Sequence, residues 1–99
     1  ELRKMKRNAL LINTARGGLV NEKELLQALD EGLIAGAGFD VLTTEPPAGI
    51  HPFLNMQRLN FILTPHVAWT SDMAMESLAE QLIDNIESWV SGSPKNLVT

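Results

Sequence analysis

Three short apolar runs divide the chain, and each is closed by polar residues or proline. They cover residues 9–13, 35–41 and 60–64. Because the runs are continuously apolar rather than alternating, they are typical of parallel strands that are buried on both faces. Small residues in the second run would let a neighbouring backbone approach closely, and Pro65 ends the third run.

A helix is predicted between the first two runs. It begins at Asn21, whose side chain can accept a hydrogen bond from a first-turn amide, and Glu24 completes a pair of the capping-box type. Gly32 ends this helix. Its apolar side consists of Leu25, Leu26, Leu29 and Leu33.

A longer helix is predicted from Thr70 or Ser71 to about Val90, with Gly92 and Pro94 ending it. Its apolar residues recur at helical spacing and form one continuous stripe. We expect this stripe to lack part of its normal cover in the isolated chain, which favours association or aggregation. The stripe consists of Met75, Leu78, Ala79, Leu82, Ile83, Ile86, Trp89 and Val90.

Two segments fit neither a strand nor a long helix. Residues 1–6 are interpreted as the end of a helix, where basic residues suit the dipole, with a basic binding patch as the alternative. Residues 43–55 are predicted to be a loop, because their three prolines are unsuited to a helix or a sheet interior. His51 in this loop is interpreted as incidental.

The order strand, helix, strand, loop, strand, helix predicts an α/β fold with a parallel sheet. In such sheets, ligands bind outside the carboxyl ends of the strands. Residues 14–18, 40–46 and 65–71 are polar segments that each follow an apolar run. These three segments are therefore the predicted site.

Composition narrows the classes of partner and environment. The chain has 99 residues and a net charge of −4, which allows one domain and disfavours nucleic acid as the main partner. It has no cysteine, which excludes disulfides and thiolate metal sites and fits a cytoplasmic protein. No apolar run is long enough for a membrane span, and no group of residues has metal-ligand spacing.

Because the chain begins without methionine, we expect it to be part of a longer protein.

Arg16 follows the first run and precedes two glycines that permit a sharp turn. A guanidinium is a planar fork of donors that can hold a carboxylate at two points. The alternative is a surface arginine above a tight turn, since short segments of this kind are common.

Asp40, Glu45 and His66 lie at or after the ends of the second and third runs. Taken singly, such acids are more often loop caps, and a lone histidine is usually structural. Together with Arg16, however, these residues bring a cation, carboxylates and an imidazole to neighbouring strand ends. A histidine with a carboxylate partner is a general acid–base pair, because the anion favours the protonated imidazole.

Four blocks of the sequence resemble the D-isomer-specific 2-hydroxyacid dehydrogenases. Residues 5–21 are similar to the long signature of that family, and residues 38–41 with 45–47 are similar to its second block. Residues 64–69 resemble its third block and residues 92–98 its usual ending. At Trp69, the sequence resembles the branch of this family that includes glycerate dehydrogenases and hydroxypyruvate reductases.

The resemblance implies roles for the matched residues. Arg16 would hold the substrate carboxylate and polarise its carbonyl, His66 would be the acid–base residue, and Glu45 would be its partner. Asp40 would contact the nicotinamide end of the cofactor. The positions implied to line the cofactor are Thr14, Ala15, Arg16, Asp40, His66 and Ala68.

The resemblance also implies a wider context. Residues 1–69 would be the C-terminal half of a Rossmann-like, doubly wound dinucleotide-binding domain in a two-domain enzyme, and residues 70–99 a final helix and tail packing toward the substrate domain. The parent would be a cytoplasmic homodimer that uses NAD or NADP and reduces a small 2-oxo acid, such as hydroxypyruvate or glyoxylate, to a D-2-hydroxy acid. No Gly-x-Gly-x-x-Gly is present, so this stretch alone is expected to be inactive.

A non-enzymatic, NAD-sensing scaffold with a dehydrogenase fold is the alternative function. The presence of Arg16, Glu45 and His66 together argues against it, because a scaffold has no need of all three side chains.

Overall fold

A parallel sheet forms the centre of the fold in the computed structural model, which describes residues 1–98. Its three strands lie in the order β1 (Leu10–Asn13), β2 (Gly36–Phe39) and β3 (Phe61–Leu63). Both pairings are parallel, and Gly38 lies opposite Ile12 on one side and Ile62 on the other. The predicted α/β class is thus confirmed, with strands slightly shorter than the apolar runs.

Helix α1 (Glu22–Asp30) connects β1 to β2 and begins where the sequence predicts. The side chain of Asn21 accepts hydrogen bonds from the backbone N–H groups of Lys23 and Glu24, at 3.1 and 3.2 Å. Gly32 adopts a φ of 63° just beyond the helix, a left-handed conformation that glycine adopts without steric cost. Local capping chemistry therefore sets both ends of α1.

The buried core combines α1, the segment between α1 and β2, the sheet and one residue of the proline-containing loop. Its members are Leu25, Leu29, Ile34, Ala37, Phe39, Phe53 and Phe61. The rings of Phe53 and Phe61 lie 4.9 Å apart between centroids, and those of Phe53 and Phe39 lie 5.6 Å apart. Phe53 therefore fastens the loop to the sheet.

The prediction of a loop over residues 43–55 was wrong in its last part, where Pro52–Asn55 forms a short 3-10 helix. Proline is compatible with the first position of a helix, because the N–H group that it lacks has no intrahelical partner there. The interpretation of residues 1–6 also needs correction, since Leu2–Lys4 forms only a single 3-10 turn.

The prediction of strands buried on both faces fits the central strand β2, whose residues are buried or half-buried, but it was wrong for β1 and β3. Leu10, Ile12 and Ile62 are 67%, 64% and 66% exposed. By contrast, Phe39 and Phe61 belong to the core cluster. The exposed residues lie on the face of the sheet opposite to α1, whose buried residues pack in the core cluster. An apolar strand becomes buried on its second face only when another layer covers that face.

The chain divides into two compact units, Glu1–Ala68 and a second that begins at Trp69. The second unit contains helix α2 (Asp72–Val90), and the side chain of Ser71 caps it by accepting a hydrogen bond from Ala74 N at 3.2 Å. Gly92 follows the helix with a φ of 76°. Six members of the predicted stripe are more than half exposed, as expected: Leu78, Leu82, Ile83, Ile86, Trp89 and Val90. Within residues 1–98, no helix has the length and apolar character needed to cross a membrane.

Candidate active site

His66 lies in a tight turn directly beyond β3. Thr64 N donates to Phe39 O at 2.9 Å, and His66 N donates to Thr64 O at 3.0 Å across Pro65. The φ of His66 is 56°, a left-handed conformation that residues with a Cβ rarely adopt. Such a conformation persists only where the surrounding structure holds it.

Asp40 holds this turn. It follows β2 and is only 3% exposed. Its Oδ1 accepts hydrogen bonds from the Thr64 hydroxyl at 2.5 Å and from Val67 N at 2.9 Å, and its Oδ2 accepts one from Ala68 N at 2.8 Å. Asp40 therefore binds residues on both sides of His66 and acts as a cap for the turn.

Hydrogen bonds keep Asp40 ionised. Burial alone would raise the pKa of its carboxyl group, but the hydrogen bonds from Thr64, Ala68 and Val67 and the proximity of His66 outweigh burial, so the pKa is lower than the ordinary 3.8. A carboxyl group with a lowered pKa stabilises the fold while it is ionised, and this contribution is lost as pH falls through its folded-state pKa.

Replacing Asp40 by asparagine is expected to destabilise the fold. The new amide group would face the N–H of Ala68 or Val67, so a donor would meet a donor. The variant is expected to have a lower free energy of unfolding than the wild type. This difference should have its maximum value above the ordinary pKa of 3.8 and should decrease as pH falls below it. Urea unfolding of the full-length protein at a series of pH values measures this difference. Asp84→Asn, in α2, is the control, and an equal effect of both substitutions would contradict the role of Asp40.

Glu45 pairs with His66 from the loop after β2. Glu45 Oε2 lies 2.6 Å from His66 Nδ1, and Glu45 Oε1 accepts a hydrogen bond from Leu42 N at 2.7 Å. The side chains of His66 and Glu45 are 39% and 34% exposed, so a small molecule can reach them. The hydrogen bond from Leu42 N, followed by the one from His66, holds the pKa of Glu45 below its ordinary 4.5.

A cavity of about 360 Å³ contains this pair. That volume lies in the range of small-molecule sites, which combine apolar walls with a few polar groups. Its polar residues include Asp40, Glu45 and His66, and its apolar walls are formed by Leu42, Pro46, Pro47, Leu54, Leu63 and Pro65. Within residues 1–98, no group of three histidine, aspartate or glutamate side chains could hold a metal ion.

Arg16 lies beyond the carboxyl end of β1 but does not line this cavity. Asn13 orders the segment, since its Nδ2 donates to Arg16 O at 2.9 Å and its Oδ1 accepts from Ala15 N at 3.1 Å. The exposed guanidinium donates to Ala15 O at 2.7 Å. Thr14 and Ala15 are exposed at the same strand end. The structure thus joins Glu45 to His66 directly and leaves Arg16 at the neighbouring strand end.

Gly17 brings the Arg16 turn against the loop after β2. A Cβ atom at Gly17 would lie 2.0 Å from the carbonyl carbon of Leu42 and 2.3 Å from Thr43 N. Only glycine permits so close an approach to backbone atoms. The paired glycines predict a sharp turn, but the sequence does not reveal which of them makes this contact.

His51, which is interpreted from the sequence as incidental, has two specific contacts in the structure. His51 Nε2 lies 3.1 Å from Glu22 Oε2, and His51 Nδ1 accepts a hydrogen bond from Phe53 N at 3.2 Å. Sequence reasoning also missed Glu22. The available signal was Pro52: a proline that begins a helix makes the residue before it the capping residue.

Comparisons with known proteins agree with this architecture. The family described as D-isomer specific 2-hydroxyacid dehydrogenase, NAD binding domain, matches residues 1–68. A glycerate dehydrogenase of Methylorubrum extorquens is 57% identical over 98 residues, which is 99% of this chain and 31% of that protein. A hydroxypyruvate reductase of Blautia hydrogenotrophica is 39% identical over 95 residues, or 96% of this chain and 29% of that protein.

Solved structures show the same fold. An acyclic imino acid reductase in complex with NADPH and D-Arg has a TM-score of 0.73 and 40% identity, over 99% of this chain and 30% of that one. An NADPH-dependent glyoxylate/hydroxypyruvate reductase from Sinorhizobium meliloti, in complex with NADP and malonate, has a TM-score of 0.64 and 37% identity, over 91% of this chain and 27% of that one. These matches confirm the predicted Rossmann-like α/β fold.

The chain spans about 30% of the length of the curated relatives that it matches. The family match itself covers more than half of the chain. This chain belongs to the D-isomer specific 2-hydroxyacid dehydrogenase family.

Proposed function

We propose that this chain is the C-terminal part of an NAD(P)-dependent D-2-hydroxyacid dehydrogenase, which reduces a small 2-oxo acid such as hydroxypyruvate or glyoxylate. The observation that carries the proposal is the pair of Glu45 and His66, 2.6 Å apart, in a cavity beside the carboxyl ends of parallel strands. The names of the relatives, a glycerate dehydrogenase and a hydroxypyruvate reductase, support this substrate class.

His66 is the proposed acid–base residue. Its Nδ1 faces Glu45 Oε2, so Nε2 is the nitrogen that would donate a proton to the carbonyl oxygen of the 2-oxo acid. Glu45 stabilises the imidazolium that this step requires. In the oxidative direction, neutral His66 would accept the proton of the substrate hydroxyl at the same nitrogen.

Arg16 is proposed to bind the substrate carboxylate. Its guanidinium is exposed beyond β1, and the hydrogen bond from Asn13 to Arg16 O fixes the backbone that carries it. The planar fork of donors would hold the carboxylate at two points and place the adjacent carbonyl for reduction.

The strand ends fit a dinucleotide. Thr14 and Ala15 form an exposed edge with small side chains at the end of β1. Oδ2 of Asp40 accepts a hydrogen bond from Ala68 N, and a carboxylate oxygen has two lone pairs for hydrogen bonds. Thr14, Ala15, Arg16, Asp40, His66 and Ala68 would therefore hold the nicotinamide end, and the cofactor would supply the hydride for the carbonyl carbon. Both NAD and NADP are consistent with these residues.

The domain arrangement belongs to the same proposal. Residues 1–69 would complete the dinucleotide-binding domain, and residues 70–99 would pack toward the substrate domain. The exposed apolar stripe of α2 supports such packing, because contiguous apolar surface usually marks a contact. A cytoplasmic homodimer is proposed as the assembled form.

The function is tested by steady-state kinetics of the full-length protein with hydroxypyruvate and glyoxylate and either NADH or NADPH. Glu45→Gln is expected to lower kcat/KM roughly 10-fold and to move the high-pH limb of the reductive profile to lower pH, because the variant lacks the anion that favours imidazolium. The pKa of Glu45 lies below 4.5, so Glu45 stays ionised throughout a neutral assay and does not itself produce that limb.

Glu80→Gln, an exposed substitution in α2, is the control and is expected to leave the profile unchanged. An unaltered profile in Glu45→Gln would remove Glu45 from the mechanism. Binding of NAD or NADP without turnover of any small 2-oxo acid would instead favour the scaffold function.

A further inference from the structure

Glu22 connects the start of α1 to two points of the loop after β2. Its Oε1 accepts a hydrogen bond from Thr43 N at 2.8 Å, and its Oε2 lies 3.1 Å from His51 Nε2. The side chains of Glu22 and His51 are only 18% and 13% exposed. The contact is thus partly shielded from water, where polar interactions are stronger than at an open surface.

The contacts of His51 define its tautomer. Because Phe53 N donates to His51 Nδ1, the proton of the neutral ring lies on Nε2 and is directed at Glu22 Oε2. The ring also meets the edge of Phe53, with centroids 5.4 Å apart, and Phe53 belongs to the core. The far end of the loop is therefore fixed both by packing and by Glu22.

Residues 42–43, at the start of the loop after β2, connect Glu22 to Glu45. The consecutive N–H groups of Leu42 and Thr43 donate to two different carboxylates, Glu45 Oε1 and Glu22 Oε1. The other oxygen of Glu45 lies against His66. The two N–H groups belong to adjacent peptide units that share the Cα atom of Leu42, so a displacement of the Leu42–Thr43 peptide would also shift the donor that orients Glu45.

We infer that Glu22 and His51 are positioning residues that hold the Glu45 carboxylate in hydrogen-bonding position against His66, an inference that rests on the proposed function. Neither residue lines the cavity that contains His66. Their effect passes through the backbone of residues 42–43. A purely structural alternative is the favourable placement of an acid in the first turn of a helix, and that role is shared by Glu24.

Glu22→Ala in the full-length protein is the first test. Loss of the restraint on Leu42–Thr43 is expected to lower kcat/KM about 10-fold, since small misplacements of catalytic groups have effects of this size or larger. Glu24→Ala removes an acid from the same helical turn and is expected to retain wild-type activity.

A double-mutant cycle distinguishes positioning from general destabilisation. If Glu22 acts through Glu45, then Glu22→Ala should lower kcat/KM less than about 2-fold in a Glu45→Gln background, where no carboxylate remains to be positioned. The high-pH limb of the profile should also move to lower pH in Glu22→Ala, in the same direction as in Glu45→Gln.

His51→Asn provides an independent route to the same conclusion. Asparagine is a good capping residue and can still accept from Phe53 N, but it is too short to reach Glu22. This variant is expected to reduce kcat/KM, as Glu22→Ala does, and the reduction should likewise be smaller in the Glu45→Gln background.

If Glu22→Ala does not fold, Glu22→Gln replaces it. The amide oxygen of the new side chain can accept a hydrogen bond from Thr43 N, but its amide nitrogen opposes the N–H of His51.

The possible results distinguish failure of the positioning role from failure of the proposed function. Equal losses from Glu22→Ala in the wild-type and Glu45→Gln backgrounds, or equal losses from Glu22→Ala and Glu24→Ala, would overturn the positioning role and leave the proposed function intact. Wild-type kinetics of Glu45→Gln itself would remove Glu45 from the mechanism and would overturn the positioning role with it. Binding of NAD or NADP without turnover of any small 2-oxo acid would overturn the proposed function.

Discussion

His66→Asn is expected to lower kcat/KM for reduction of the 2-oxo acid about 10³-fold in the full-length protein, because the carbonyl oxygen would lose its proton donor. Asparagine is chosen because it tolerates a left-handed backbone better than other residues that carry a Cβ. The chain itself places Asn96 at a φ of 53°, close to the 56° of His66. Fold and stability are therefore expected to be retained while proton transfer is lost.

Steady-state kinetics and thermal unfolding of the same preparation test this expectation. The KM for the substrate should change much less than kcat, because the proposed grip on the carboxylate belongs to Arg16. Activity within a few-fold of the wild type, in a variant whose unfolding is unchanged, would exclude His66 as the acid–base residue.

Gly17→Ala is expected to lower the free energy of unfolding by about 3 kcal/mol, at the upper end of the cost of overpacking. The new Cβ would lie 2.0 Å from the carbonyl carbon of Leu42 and 2.1 Å from its oxygen. These are backbone atoms that cannot rotate away as a side chain could. The backbone on both sides of the Leu42 Cα is also held in place, since the N–H groups of Leu42 and Thr43 are bound by Glu45 and Glu22.

Gly18→Ala is the matched control for this substitution. A Cβ at Gly18 would have no neighbour within 4 Å, so the change in unfolding free energy is expected to stay within about 0.5 kcal/mol. Urea unfolding of both variants measures the difference. Equal effects at the two positions would show that glycine is needed there for its conformational freedom and not because the Leu42 backbone lies so close.

Features that depend on neighbouring residues were predictable from sequence. Asn21 caps α1 as predicted, and Ser71, one of the two residues predicted to begin α2, caps that helix, because a capping side chain binds amides two or three residues away. Gly32 ends α1 for a similarly local reason. The rule that parallel strands end at one edge also predicted that the segments around Asp40, Glu45 and His66 would meet.

Features that depend on distant contacts were not predictable. Asp40 is separated by 27 positions from Val67, to which it binds, so sequence alone could not decide between a cap and a cofactor ligand. His51 and Glu22 are separated by 29 positions and lie in different elements. The exposed face of Leu10 and Ile12 was missed because an apolar run does not reveal whether a second layer covers it.

Main-chain amides supply most of the hydrogen bonds that hold the carboxylates of this site. Asp40 receives them from residues 67 and 68, Glu45 from residue 42 and Glu22 from residue 43. Every amino acid except proline offers that donor. A change of side chain at any of these four positions, other than to proline, therefore leaves the donors in place. Leu42 also forms part of the cavity wall, so a substitution there would change the size or polarity of the cavity while its N–H still holds Glu45.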